Sequence, residues 1–399
     1  MNPLTDITNI PTIFNLARKS RNHPLTAEAE HRSLEFMERY RLYWCEEQRQ
    51  RLHAQNCGAL MAYMFPDTDS PELLQLGTDF SMFAFAWDDE FCDDGPTRNK
   101  PMELADAAFR LQCTVDYPEV VFDENDRYAM ALRDITLRLR KLASPDQARL
   151  WADTIRGWFF IEICKASNVA RGIGINLSDY FPVRIYSGAT LPFAHFIQIM
   201  NRLELPDSVF NDRRLCAIRE IGVIIVNFVS DLYAYRKELV RSPDGYNLID
   251  VIILEYGCSV DEAFSIAIDM HERIMQLFNR LRAAVLSEPH HPQVDLYLKA
   301  FDQYIDGGIR WCLDTLRYRS VDGTSTSPQV VTDSGLTDVQ REISVDPLPI
   351  KSIAWWWQQD PAQPHGTGSF ATTERSAESG NSSTGETRLR TDESHLRTR

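Results

Sequence analysis

Paired metal or redox motifs are missing from this sequence. Its eight cysteines, Cys45, Cys57, Cys92, Cys113, Cys164, Cys216, Cys258 and Cys312, are scattered, with no CxxC and no histidine pair beside them. Neither a zinc site nor a disulfide framework is indicated, and the cysteines read as free, mostly buried thiols. No run of eighteen apolar residues is present to span a bilayer, and the opening stretch MNPLTDITNIPTIFNLARKS lacks the charged-then-apolar order of a signal peptide. The chain is expected to be cytosolic. Positive charge is in short supply: 42 basic residues against 57 acidic leave a formal charge of −15, which excludes a general nucleic-acid-binding surface. A protein of this charge that handles a polyanion must use a local basic site together with metal ions.

Alternating strand patterns are also lacking, and helix signals take their place. Ser70-Pro71 sets an N-cap before a first-turn proline, and LLQLGTDFSMFAFAWDDEFCDD follows as an apolar-faced run stopped by Gly95-Pro96. Ser144-Pro145-Asp146-Gln147 repeats the device with a capping-box glutamine and opens a helix through Trp158 to about Ala170. Ser259-Val-Asp-Glu262 opens another, continuing through Ile266, Met270, Ile274 and Phe278 at helical spacing. With 44% hydrophobic residues to build a core, the expectation is one all-α domain of about ten helices from roughly residue 10 to 320. Beyond Ser320 the composition turns to Ser, Thr, Gly, Pro and charge, which cannot bury enough apolar surface to offset ordering entropy. Residues 321–399 are therefore expected to form a mostly disordered tail. One apolar island interrupts it, IKSIAWWW at 350–357, able to dock on a partner, a membrane surface or the domain itself.

Three constellations carry chemistry. In WDDEFCDD, Asp89 and Asp93 stand one α-helical turn apart with Asp88 beside them. Carboxylates so spaced repel, and magnesium, which takes one or two carboxylates and completes its shell with water and phosphate oxygens, is the natural counter-charge. Phe80, Phe83, Phe85 and Trp87 put these acids at the rim of an aromatic wall. In SDLYAYRKE, Ser230, Ala234 and Glu238 step by four, Asn227 and Asp231 flank them, and Lys237 adjoins Glu238. Scattered basicity completes the set: Arg184 after Tyr180-Phe181-Pro182, and Arg317-Tyr318 closing a helix that contains Trp311. The arginine fork and the tyrosine hydroxyl both suit phosphate.

Together, in this order, the constellations resemble the class I terpene synthases, in particular the microbial sesquiterpene cyclases, over about residues 20–320. WDDEFCDD is similar to that family's aspartate-rich motif in its DDxxxD form, with Asp88, Asp89 and Asp93 as the acidic positions. SDLYAYRKE lies where the second metal motif, NDxxSxxxE with a lysine before the glutamate, is expected. Arg184 stands in the place of the diphosphate-sensing arginine, Ser187 and Gly188 in the linker and effector places, and Arg317-Tyr318 in the place of the terminal Arg-Tyr pair. The resemblance implies an antiparallel helical bundle around a central apolar cavity. It further implies three magnesium ions held by Asp88, Asp89, Asp93, Ser230, Asp231 and Glu238, and a diphosphate held by Arg184, Lys237, Arg317 and Tyr318. Phe80, Phe83, Trp87, Trp158 and Trp311 are expected to line the cavity. The implied reaction is ionisation and cyclisation of a linear isoprenyl diphosphate, farnesyl diphosphate to a sesquiterpene, by a monomer or homodimer. The second motif departs from the pattern, with Ser230 for Asn and Ala234 for an oxygen ligand. Three readings stay open: a water fills in, the register shifts to Asn227 and Asp231, or the protein binds prenyl diphosphate without efficient turnover.

Overall fold

Capping side chains set where the helices of this computed structural model begin. Ser70 Oγ accepts from the Leu73 amide at 3.2 Å with Pro71 in the first turn. Ser144 with Gln147, and Ser259 with Glu262, form reciprocal capping boxes. All three starts were legible in the sequence. The structure describes residues 7–15, 21–241 and 243–363. In chain order the helices are α1 (Thr26–Tyr40), α2 (Glu46–Ala54), α3 (Cys57–Met64), α4 (Pro71–Trp87), α5 (Pro101–Asp116), α6 (Arg127–Leu142), α7 (Pro145–Arg171) and α8 (Leu177–Tyr186). They continue with α9 (Thr190–Met200), α10 (Asp207–Phe210), α11 (Arg213–Arg241), α12 (Leu248–Tyr256), α13 (Val260–Ser287), α14 (Gln293–Asp314), α15 (Leu316–Arg319) and α16 (Ala354–Trp357). The expected all-α bundle is what forms.

Two helices run through the core. The apolar α4 packs against α1, α3, α6 and α9, and α11 packs against α8, α9, α13 and α14. Their C-terminal ends carry the two acidic motifs. The α3–α14 contact is close because Gly307 has no side chain: a Cβ there would stand 2.3 Å from the Tyr63 carbonyl carbon. This contact brings the end of α14, with Trp311 and the following Arg317, back over the first motif.

The boundary expected at residue 320 falls elsewhere. Strands β1 (Thr8–Ile10) and β2 (Ile13–Phe14) pair in parallel with β3 (Val331–Asp333) and β4 (Leu336–Thr337), Thr8 opposite Val331 and Ile13 opposite Leu336. Val330, Val331, Leu348, Ile350, Ile353, Trp356 and Trp357 are buried. The compact unit therefore runs to Gln363. Composition misjudged 321–363 because it weighs the segment's own apolar content. The bundle and the N-terminal strands supply the surface against which its few apolar residues are buried. Residues 364–399, where the rest of the expected tail falls, lie outside the described residues. Among the described residues no helix is long and apolar enough to cross a membrane.

Candidate active site

Directly after α4 the helix widens into a π-helical turn, Asp88–Asp93, in which the Asp94 amide reaches the Asp89 carbonyl five residues back. Such turns inside helices concentrate at functional sites. The turn separates the three aspartates. Asp88 and Asp93 face a polar cleft with Glu162 and Lys165 of α7, Ser187 and Gly188, Asp231 and Glu238 of α11, and Asp244 and Asn247. Asp89, expected beside Asp93, instead turns to Arg317, which holds it with two bonds of 2.9 and 3.3 Å. Burial would raise the Asp89 carboxyl, but the Arg317 guanidinium outweighs it and holds the group below its ordinary value.

Arg184 sits near the end of α8. Its Nε and Nη2 donate to Asp231 Oδ1 at 3.1 and 2.5 Å, and Nη1 donates to Ser187 Oγ at 3.2 Å. Beyond it the backbone turns sharply through Gly188, at φ +64°, a conformation favouring glycine. The Gly188 amide donates to Glu162 Oε1 at 3.1 Å. Asn227 braces the same turn, donating to the Arg184 carbonyl at 2.7 Å and to Thr190 Oγ1 at 3.3 Å.

Asp231, expected among the metal ligands, is fully engaged. Besides Arg184 it accepts from the Tyr180 hydroxyl at 2.7 Å and the Leu248 amide at 3.0 Å. A carboxylate with this set of partners anchors its neighbours, and both of its oxygens already accept hydrogen bonds. Glu238 keeps one close partner, Asn247 at 2.8 Å, and burial pushes its carboxyl up to about 7. Ser230 Oγ shares a 2.9 Å hydrogen bond with the Tyr318 hydroxyl, whose ring lies under the Lys237 ammonium. Ala234 is buried and bears no oxygen.

A second, more apolar pocket adjoins the cleft and shares Arg184, Gly188 and Glu238 with it. Lys237, Arg317 and Tyr318 stand at its polar end, with Asn227 and Ser230; Leu60, Met64, Phe85, Phe193, Val226 and Trp311 line the remainder. Of the five aromatics expected to line a cavity, only Trp311 does so. Phe80, Phe83, Trp87 and Trp158 are wholly buried in an aromatic core, Phe80 against Trp151 and Phe196, Trp87 against Trp158 and Phe159. On α4 residues 80, 83 and 87 share one stripe that faces α6, α7 and α9; Phe85 lies on the other side, stacked on Trp311 at 5.3 Å.

Glu162, Lys165 and Phe193 are among the site residues that went unread in the sequence. Glu162 and Lys165 did leave a signal, since they are charged residues three apart inside the apolar run WFFIEICKAS. Lys165 bridges Asp93 at 3.1 Å and Asp244 at 2.9 Å. Burial would lower it, but Asp244, Asp93, Glu162 and Asp88 hold it well above the ordinary lysine value.

Whether divalent metal fits here is decided by the oxygens that remain. Glu162 Oε2 is buried with no hydrogen-bond partner among the described residues. Asp88, Cys92 and Glu162 bring ligand atoms within 4.8 Å of one another. Burial, then Asp93 and Glu162, push the Asp88 carboxyl well above its ordinary value, which is the mark of clustered carboxylates short of positive charge. The Cys92 thiol is pushed well up by burial and stays protonated. The usable donors are hard carboxylate oxygens, a set that suits magnesium-like ions and not thiophilic metals.

Comparison with known proteins follows the same line. Residues 79–276 match the family model described as terpene synthase family 2, C-terminal metal binding. The (+)-(1(10)E,4E,6S,7R)-germacradien-6-ol synthase of Streptomyces pratensis is 32% identical over 336 residues, 84% of this chain and 93% of the relative. The (+)-T-muurolol synthase of Streptomyces clavuligerus, named as cyclising (2E,6E)-farnesyl diphosphate, is 25% identical over 84% of this chain and 79% of the relative. A crystal structure of the ancestrally reconstructed SVS_A2 protein superposes with a TM-score of 0.74 at 26% identity, covering 88% of this chain and 98% of that one. A helical bundle with an apolar pocket behind a mouth of carboxylates and arginines is the architecture of a metal-binding, prenyl-diphosphate-cyclising lyase. This chain belongs to the class I terpene synthases, in their microbial branch.

Proposed function

We propose that the protein is a magnesium-dependent sesquiterpene cyclase acting on farnesyl diphosphate. The observation that supports this most is the convergence of Arg184, Lys237, Arg317 and Tyr318 at the mouth of the apolar pocket, beside Asp88, Asp93, Glu162 and Glu238. The farnesyl assignment leans on the relative named as cyclising that substrate.

In this reading Asp88, Asp93 and Glu162 would hold magnesium on one side of the mouth and Glu238, with Ser230, on the other. Asp89 and Asp231 orient Arg317 and Arg184. Magnesium held there would supply positive charge against the diphosphate leaving group. The arginine, lysine and tyrosine donors stabilise the same developing charge, and they are strongest where water is excluded. Phe85, Phe193 and Trp311 present ring surfaces to the resulting cation, and the closed apolar wall withholds water from it.

Incubating purified protein and magnesium with geranyl, farnesyl or geranylgeranyl diphosphate, then analysing extracts by gas chromatography, tests the proposal. A cyclic fifteen-carbon product from farnesyl diphosphate is expected. No cyclic product from any substrate sinks the catalytic assignment. Turnover of geranylgeranyl diphosphate alone sinks the chain-length part.

A further inference from the structure

The tryptophan segment near the end of the described chain touches the helix that carries Arg184. We propose that Trp356 is a positioning residue for this arginine: residues 350–360 clamp α8 against α11 and so fix where Arg184 meets the substrate diphosphate. The proposal rests on the reading of Arg184 as a diphosphate-binding group.

Helix α8 is poorly equipped to hold its own place. It is ten residues long with Pro182 inside it, which removes a backbone hydrogen bond. At its end the chain turns through Gly188 and Ala189, both at positive φ, so no continuing helix steadies the axis. The position of Arg184 must then come from lateral contacts. On the inner side, Tyr180 and Arg184 both bond Asp231 of α11. On the outer side, Phe181 meets Trp356 edge-on, with ring centres 5.8 Å apart at 80°, and the Lys351 amide donates to Ser178 Oγ at 3.3 Å.

Trp356 is itself fixed. It is wholly buried, and its indole N–H donates to Glu220 of α11 at 2.8 Å. Next to it the Arg213 guanidinium lies 4.0 Å over the Trp355 ring. At the far end of the segment Arg280 of α13 grips the buried Asp360 with bonds of 2.7 to 3.1 Å. The clamp is thus bolted to α11 and α13, and its ring presses on residue 181, one turn before Arg184. A strap that served stability alone would have no need to end on that turn.

The test uses the full chain, with inorganic diphosphate plus magnesium as the calorimetric probe and farnesyl diphosphate for steady-state rates. Trp356→Ala should weaken diphosphate binding about tenfold and lower kcat/KM at least as far, and Trp356→Phe, which keeps a ring against Phe181, should recover most of both. If Trp356→Ala does not fold, Phe181→Leu interrupts the same contact from the α8 side and carries the same expectation. Ile135→Ala, a core deletion on α6, serves as the stability control and should leave diphosphate affinity within twofold. Equal loss of affinity in Ile135→Ala, or wild-type affinity in the Trp356 and Phe181 variants, overturns the clamp. Arg184→Gln is measured alongside. Wild-type diphosphate affinity in that variant overturns the reading of Arg184 itself, whereas an impaired Arg184→Gln with an unimpaired Trp356→Ala overturns only the clamp.

Discussion

Asp231 accepts four hydrogen bonds from three partners, and that one side chain changes how the second motif is understood. Asp231→Asn removes the charge that a half-buried guanidinium faces. Breaking one side of a fully buried pair costs about 3–5 kcal/mol, and with Arg184 partly open to solvent urea denaturation should show a smaller loss, with turnover falling in parallel. Ser230→Ala, which removes one hydroxyl bonded to Tyr318, should cost about 1 kcal/mol. With Asp231 tied to Arg184, a severe Asp231→Asn phenotype reports the loss of the arginine's anchor. The aromatic residues divide in the same way. Phe85→Leu should change the product distribution with little change in melting temperature, whereas Phe83→Leu should lower stability and leave the distribution intact; gas chromatography and thermal unfolding of the two variants check this. The residue types in WDDEFCDD and SDLYAYRKE were legible in the sequence. Their pairing was not, because Arg317 reaches Asp89 from the far end of the chain.

At the scale of elements, the helix starts at Ser70, Ser144 and Ser259 were readable because capping is local. The turn after α4 was not. A straight α-helix places Asp89 with Asp93, but the π-helical turn and Arg317 send Asp89 elsewhere, leaving Asp88 and Asp93 to share the cleft with Glu162. The α3–α14 pair offers a further test. Gly307→Ala would set a Cβ against the Tyr63 backbone, and backbone cannot rotate away as a side chain can. Overpacking of this kind costs about 1–3 kcal/mol or more, so a drop in melting temperature is expected. Because α14 leads to Arg317, diphosphate affinity should fall with it.

At the scale of the whole molecule, two buried histidines predict the acid limb of the stability curve. Burial lowers His195 and His271 to about 4, and neither ring nitrogen of His271 has a hydrogen-bond partner among the described residues. The unfolded chain takes up these protons below about pH 6.5 and the folded chain only below about pH 4. Stability from this source is complete above pH 6.5 and is lost as pH falls toward 4. Each histidine should contribute a loss of roughly 2 kcal/mol between pH 7 and 5. His271→Leu should flatten that limb relative to wild type in denaturation curves at the two pH values. The electrostatics at the mouth act together in a comparable way: magnesium with diphosphate should raise the melting temperature more than either alone, since each compensates charge for the other.

The sequence by itself determined the all-α class, the capped helix starts at Ser70, Ser144 and Ser259, the acidic and basic chemistry of the mouth and the resemblance that named the family. These are local properties, set by neighbours within a turn or two. Only the tertiary structure decided which acids remain free, which aromatics meet the pocket, and that residues 321–363 fold back onto the bundle. Periodicity fixes the direction a side chain takes around its own helix. What stands opposite, whether another core ring, an open pocket or a guanidinium from a distant part of the chain, exists only once the helices have packed.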